Sequence, residues 1–352
     1  MKSNFISSLL IIELILVSAH VISSQPISPS PSPTPAPAPA PGPGPSSAPY
    51  VSSSGLQVGY YKGKCNSVVD VEAIVLAKTQ QAFIKDPTLL PALLRLQFHD
   101  CFVYGCDASL LISGPTTEQA ADPNGSVRGY DVIEAIKTAV EAECPGVVSC
   151  ADITALATGF ILQLGGGPTY AVETGRKDGL VSNKDDVDLP SPTMTIAESS
   201  AFFAARNFTL EEMVVLLGCH SVGVTHCKQV EDRVYKSGAL YDPLMDSALR
   251  TVLTSRCPEG TNSVNTVFLN QDPKNNNTVD NSFYNQLNKN RGILALDQLL
   301  ARDPLTTDIV DKFALDNAAF NAALAKAMIK LQAFKVLIGD AGNIRKVCSK
   351  LN

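Results

Sequence analysis

Residues 93–111, LLRLQFHDCFVYGCDASLL, place an arginine, a histidine, two aspartates and two cysteines in a stretch that is otherwise mostly apolar. Arg95 and His99 are four positions apart, so on a helix they share a face, with Phe98 beside them. A fixed cation next to a titratable imidazole in apolar surroundings suits proton transfer coupled to stabilisation of developing negative charge. Either residue alone could be an ordinary surface or capping side chain. Both on one face of so apolar a run fit that description poorly.

The chain has four histidines, and His20 falls in a removable leader described below. That leaves His99, His220 and His226. His220 closes the apolar run TLEEMVVLLGC and precedes SVG. Two histidines on two apolar helices fit three arrangements. One is a haem between them, with one ring ligating iron and the other across the porphyrin. The second is a pair of buried structural histidines. The third is a two-histidine zinc hydrolase, although no HExxH and no obvious third ligand occur. The residues by themselves leave all three open.

The elements that must position these groups read as helices. Asp70 to about Ile84 carries apolar residues at helical spacing, and Asp86-Pro87 predicts a cap and first turn for a helix running to about Cys101. YDVIEAIKTAVEAE is amphipathic and stops at Pro145-Gly146. SCADITALATGFILQL stops at the glycines 165–167, and Thr209 with Glu212 forms a capping box before MVVLLG. Residues 280–290, 305–316 and 318–333 continue the helical pattern, while strand signals are confined to about 168–181. No internal repeat is evident. The fold class expected is all-α, in one domain over 55–352.

Two segments precede it. Residues 1–24 read as a cleavable secretory signal: Lys2, an apolar stretch, then small residues. Glu13 interrupts the apolar run, which weakens a membrane-anchor reading. Residues 25–54 contain alternating proline, which enforces polyproline II and cannot join a core. This spacer also resembles the hydroxyproline-glycosylated modules of plant wall glycoproteins. The formal net charge is −6, which offers nucleic acid or an anionic membrane no electrostatic footprint. In a secreted chain, eight of the nine cysteines are expected in four disulfides, and sequence physics does not choose among the 105 pairings.

The whole pattern resembles the secreted plant (class III) haem peroxidases. LRLQFHDCFVYGCDASLL is similar to that family's distal-helix signature and LLGCHSVGVTHC to its proximal one. VRGYDVIEAIKTAVEAECPGVVSCADI, GGPTY, GRKDG and VDNSFYNQL match in order, so the resemblance covers roughly 57–352. It implies the haem peroxidase fold, with haem b between a distal and a proximal helix. His99 would be the general base, Arg95 the stabiliser of charge as the O–O bond breaks, and Asn124 the hydrogen-bond partner that orients His99. Glu118 would belong to the same hydrogen-bonded chain. His220 would be the axial iron ligand, with Asp297 on its other nitrogen; Phe98 would line the cofactor.

The resemblance further implies two Ca²⁺ ions. Asp100, Val103, Gly105, Asp107 and Ser109 would hold one; Ser221, Asp272, Asn275, Thr278 and Asp280 the other. Hard cations want such all-oxygen sets. Pro190 would stand beside the exposed haem edge, where small phenolic substrates give up one electron each to an enzyme driven by hydrogen peroxide. The implied disulfides are Cys65–Cys144, Cys101–Cys106, Cys150–Cys348 and Cys227–Cys257, with Cys219 left free. A monomer in the extracellular space or cell wall is expected, with the proline-rich segment available to wall polymers. The competing readings are a wall glycoprotein with a weakly active haem domain and a haem or calcium binder without turnover; the intact Arg95, His99 and Asn124 argue against both.

Some features depart from the family pattern. There is no tryptophan, and Tyr170 stands where many relatives carry one. One residue is missing after Asn124, which creates a formal Asn-Gly-Ser sequon there. Asn207 and Asn276 head the more plausible glycan sites. Ser221 and Asn275 replace commoner threonines.

Overall fold

Asp70 opens the first helix of the computed structural model, which describes residues 55–66, 68–260 and 264–352. The expected leader and proline-rich spacer lie outside the described residues. The Asp70 side chain accepts from the Ala73 amide at 3.0 Å, and helix α1 runs over Val71–Lys85. Helix α2 covers Leu89–Cys101, two residues later than the Asp86-Pro87 pair predicts. Asp86 terminates α1 in an extended conformation, and its carboxylate accepts from the Thr88 amide at 2.9 Å. The cap therefore closes an intervening turn rather than the first turn of α2.

Helices α3 (Tyr130–Glu143) and α4 (Cys150–Leu164) follow the predicted boundaries. Ser149 opens α4 by accepting from the Asp152 amide at 3.1 Å. Nearly all of α4 is buried, and α1 and α2 pack against it. Helices α5 (Ile196–Ala204) and α6 (Leu210–Leu217) both open with capping boxes, Thr195 with Glu198 and Thr209 with Glu212. A 3₁₀ turn, Gly218–Ser221, then carries His220. Six helices complete the order: α7 (Glu231–Val234), α8 (Ser247–Arg256), α9 (Ser282–Leu287), α10 (Ala295–Leu300), α11 (Thr307–Leu315) and α12 (Asn317–Gln332). Of these, α8 and α10 carry no strong sequence signal, because α8 buries only Leu249 and Leu253 and α10 is short. The α5 capping box was equally legible but lies outside the predicted helices.

Two short antiparallel pairs are present among the described residues. β1 (Gln57–Val58), outside the expected strand region, joins β2 (Glu173–Thr174), inside it. β3 (Val224–His226) joins β4 (Thr266–Phe268) in a register that sets Thr225 opposite Val267, and no sequence signal announces this pair. A main core spans α1 to α6 and α9 to α12, while a smaller one forms around Cys227, Val234, Leu249 and Ile293. All four disulfides join the implied partners, and Cys219 is free.

One buried ion pair ties three parts of the main core together. Arg176, 2% exposed, donates to the fully buried Asp152 carboxylate of α4 at 2.8 Å. The Tyr61 hydroxyl and the Gly175 amide donate to the same carboxylate at 2.5 and 2.6 Å, and Arg176 Nε reaches the Gln332 carbonyl of α12 at 2.8 Å. Removing one partner strands a buried charge, which typically costs about 3–5 kcal/mol. Urea unfolding of Arg176→Met should show a loss of about that size; a midpoint unchanged from the parent protein would contradict the role assigned to the pair.

Candidate active site

Helix α2 presents Arg95 and His99 on one face, as the four-residue spacing requires. The His99 ring is buried, and its Nδ1 lies 2.7 Å from Asn124 Oδ1. The Asn124 amide is oriented without ambiguity: its Nδ2 donates to the Glu118 carbonyl at 2.7 Å, so Oδ1 must accept. His99 Nδ1 therefore carries the proton and Nε2 the lone pair. Arg95 Nε donates to that Nε2 at 3.1 Å, which only a neutral imidazole allows. The rest of the guanidinium is pinned by Ser126 Oγ and the Pro123 carbonyl, both at 2.8 Å. Burial and then the Arg95 charge push the His99 pKa down to about 4, against the Asn124 bond. Glu118 joins this chain through its backbone carbonyl; its carboxylate belongs elsewhere.

His220 has the opposite electrostatic surroundings. Its Nδ1 lies 2.9 and 3.1 Å from the two oxygens of Asp297, a carboxylate buried completely in α10. Burial works to lower the His220 pKa, but Asp297 wins and holds it above the ordinary value. Arg95 opposes Asp297, so the field of the guanidinium on α2 reaches the imidazole after α6. A ring whose Nδ1 donates to a carboxylate offers Nε2 as a strongly basic metal ligand. His226, by contrast, is exposed on β3.

Each histidine adjoins an oxygen-rich loop. Beside His99, the Asp100 carboxylate accepts from the Ala108 and Leu110 amides at 3.0 and 3.3 Å. Asp107 accepts from the Ser109 amide at 3.0 Å. The chain can turn here because Gly105 has φ +126, and a Cβ there would lie 2.3 Å from the Lys335 carbonyl. Val103 sits in the same turn. Burial drives the Asp100 pKa well up, with Asp107 and Glu118 adding to it. Burial likewise pushes Glu118 up to about 8. Ser109 Oγ and both Glu118 carboxylate oxygens are buried without a well-formed hydrogen bond. The Asp100 and Asp107 carboxylates and the Ser109 hydroxyl, in a dry place, are side-chain oxygens that could hold a hard cation.

Beside His220, the Ser221 hydroxyl is buried and unpartnered. Its carbonyl accepts from Asn270, which also donates to Ser282 at 2.7 Å. Asn275 reaches Asp272 at 3.3 Å, the Thr278 amide bonds the Asn275 carbonyl at 3.1 Å, and Asp280 accepts from the Ser282 amide at 2.9 Å. The loop of Asp272, Asn275, Thr278 and Asp280 is thus folded on itself near Ser221. Among the described residues, no three His, Cys, Asp or Glu side chains form a metal cage. A cation at either loop would depend on hydroxyl and carbonyl oxygens too.

Phe98 is half-buried and stacks on Phe102, with centroids 4.1 Å apart. Pro190 is half-buried on a segment tethered to α10, whose Leu296 amide bonds the Pro192 carbonyl at 3.0 Å. Burial pushes the free Cys219 thiol up to about 12, the signature of an inert, protonated side chain. Sequence reasoning missed Ser126 and Pro123 as the groups that hold Arg95. The available signal was their place in the short PNGS stretch with Asn124, since a side chain oriented there leaves its neighbours within reach of α2.

Comparison with known sequences identifies relatives of the whole domain. The family described as peroxidase matches residues 75–316. Peroxidase 57 of Arabidopsis thaliana is 43% identical over 304 residues, 86% of this chain and 94% of the relative. Peroxidase 60 of the same plant is 45% identical over 298 residues, 83% of this chain and 89% of the relative. Peroxidase 5 of Vitis vinifera is 37% identical over 305 residues, covering 84% and 92%.

The two imidazoles should titrate apart. In the cofactor-free protein, NMR should show His99 neutral until the pH falls to about 4, and His220 retaining its proton above the ordinary histidine range. Because the folded pKa of His99 lies below its unfolded value, the unfolded state binds more protons as pH drops from about 6.5. His99 should therefore subtract stability progressively in that window. Similar titration of both rings would contradict the assigned environments.

Proposed function

The chain belongs to the peroxidase family and is a haem peroxidase, and on that premise we propose that it oxidises small phenolic donors with hydrogen peroxide outside the plant cell, in two one-electron steps per peroxide. The observation that carries this reading is the pairing of two imidazoles of opposite character. One has a depressed pKa and an arginine on its Nε2; the other is made basic by a buried carboxylate.

Haem b fits the residues present. His220 would ligate iron through Nε2, and Phe98 would line the ring. When bound, the haem supplies the iron on which peroxide is activated and the oxidising equivalents that pass to donors. The protein side of the reaction lies in proton handling. Hydrogen peroxide would displace the Arg95 bond from His99 Nε2 and give that atom its proton. Asn124 keeps Nδ1 protonated, so Nε2 is the only basic position on the ring. The guanidinium of Arg95 stabilises charge on the departing oxygen as the O–O bond breaks, and His99 returns the proton so that water leaves. Asp297 holds His220 in one orientation and raises its donor strength.

Two Ca²⁺ ions would occupy the loops already described: Asp100, Val103, Gly105, Asp107 and Ser109 on the His99 side, and Ser221, Asp272, Asn275, Thr278 and Asp280 on the other. The orphaned Ser109 and Ser221 hydroxyls support this assignment. Each loop adjoins a histidine by a single peptide bond, so a cation there would stiffen the backbone that aims the ring. Donors would meet the haem edge near Pro190. Residues 1–24 would direct secretion, and residues 25–54 would contact wall polymers around a monomeric enzyme.

The test is a purified holoprotein with a Soret band that consumes peroxide only when a phenolic donor is present. His220→Ala should lose the haem spectrum. His99→Leu and Arg95→Leu should keep it while the peroxide rate constant falls roughly 10²- to 10⁴-fold. A haem-loaded parent protein that left peroxide untouched in the presence of phenols would sink the proposal. Chelation should lower the melting temperature, with recovery on adding Ca²⁺ but not Mg²⁺, because an irregular all-oxygen loop suits the larger ion. A melting temperature indifferent to both would rule out the calcium assignment.

A further inference from the structure

Asp297 sits on a helix that cannot hold its own direction. At six residues, α10 is far shorter than a helix that persists by itself. Leu296 and Leu300 anchor it in the main core, and its two ends are braced by a buried carboxylate, Asp242, which binds an arginine on each side. Its Oδ2 accepts from Arg233 at 2.6 Å and its Oδ1 from Arg302 at 3.0 Å. Arg233, 3% exposed on α7, turns its other nitrogen to the carbonyls of Gly292 and Ile293, the latter at 2.9 Å. Those carbonyls belong to the turn that leads directly into α10. Arg302 follows α10 and also grips Asn290 Oδ1 at 2.7 Å, back on the leading side. One carboxylate therefore clasps the backbone before α10 and the side chain after it.

Gln298, the neighbour of Asp297, completes the turn: its Oε1 accepts from the Gly292 amide and its Nε2 donates to the Leu287 carbonyl, both at 2.9 Å. Gly292 is required at this approach, since a Cβ would lie 3.0 Å from Gln298 Oε1 and 2.7 Å from Leu287. We propose that Arg233, Asp242 and Arg302 form a positioning clamp that aims Asp297 at His220 Nδ1 and so sets how strongly His220 donates to iron. The clamp rests on the reading of His220 as the axial ligand. Two further observations agree with it. Burial lowers the Arg233 pKa, and the Asp242 bond and charge work against that, with a smaller contribution from Asp297. Burial works to raise the Asp242 pKa, but the Arg302 and Arg233 bonds hold it below the ordinary carboxylate range, so the clamp stays charged at neutral pH.

The decisive measurement is made on the haem-loaded protein, by ferric/ferrous potentiometry and by the iron–histidine stretching frequency. Asp242→Asn keeps the shape of the carboxylate and removes its charge. It should shift the equilibrium towards ferrous iron by roughly tenfold, the lower end of what an outer-shell partner does, or about 59 mV for one electron. The stretching frequency should fall. In an Asp297→Asn background, the same substitution should change neither quantity, because the clamp acts through Asp297. If Asp297→Asn alters both readouts and Asp242→Asn neither, the clamp is overturned and the axial-ligand reading stands. An equal shift from Asp242→Asn in both backgrounds also overturns it. If Asp297→Asn alters neither readout, the clamp is overturned because it has nothing to act through, whereas the axial-ligand reading falls only if His220→Ala keeps the haem spectrum. Should Asp242→Asn yield no folded holoprotein, the half-exposed Arg302→Gln takes its place with the same outcomes.

Discussion

Both functional imidazoles have their Nδ1 atoms committed to the protein. Asn124 takes the proton of one and Asp297 that of the other, and everything chemical then falls to the two Nε2 atoms. A histidine without such a bond would interconvert tautomers and present its lone pair on either side. The same device gives different results because the acceptors differ. A neutral carboxamide orients without adding charge, so burial and Arg95 keep His99 unprotonated. A buried carboxylate adds negative charge and makes His220 basic. On the proposed reading, two acceptor types thus divide the labour of proton transfer and metal ligation.

The rest of the molecule keeps these two acceptors in place. Asn124 stands on a short 3₁₀ turn whose neighbours, Pro123 and Ser126, hold Arg95. The base, its orienting amide and the cation are therefore coupled through one stretch of backbone facing α2. The helix of Asp297 packs Leu296 and Leu300 into the main core, and the charges of Arg233, Asp242 and Arg302 brace its two ends. A buried charge network is costly to desolvate and weak evidence of stability, but it is directional. Here that directionality falls on the helix whose carboxylate must meet a ring nitrogen.

The oxygen-rich loops follow the same logic at one remove. Carboxylates and hydroxyls without partners are expensive in a dry interior. The Ser109 and Ser221 hydroxyls and the Glu118 carboxylate are groups of this kind, and on the proposed reading the two hydroxyls would face cations. The polar residues that look least stabilising are thus those nearest the chemistry, as expected where function is bought with local stability.

The chain alone determined the longer helices, from α1 to α4, because apolar periodicity and capping residues are local signals. It placed Arg95 and His99 on one face, since spacing on a helix needs no tertiary information. The family resemblance, not the residues by themselves, implied the cysteine pairing and the pairings of His99 with Asn124 and His220 with Asp297, for which the structure has the contacts. Short elements were harder: α8, α10 and the β3–β4 pair are too brief or too polar to announce themselves. Tertiary structure alone decided that Asn124 binds the Glu118 carbonyl rather than its carboxylate, and that Ser126 and Pro123 hold Arg95. It alone brought Arg233, Asp242 and Arg302 around α10. Each of these is a contact between residues in different elements, and hydrogen-bond geometry at that range is set by how elements pack, which residue type and spacing do not encode.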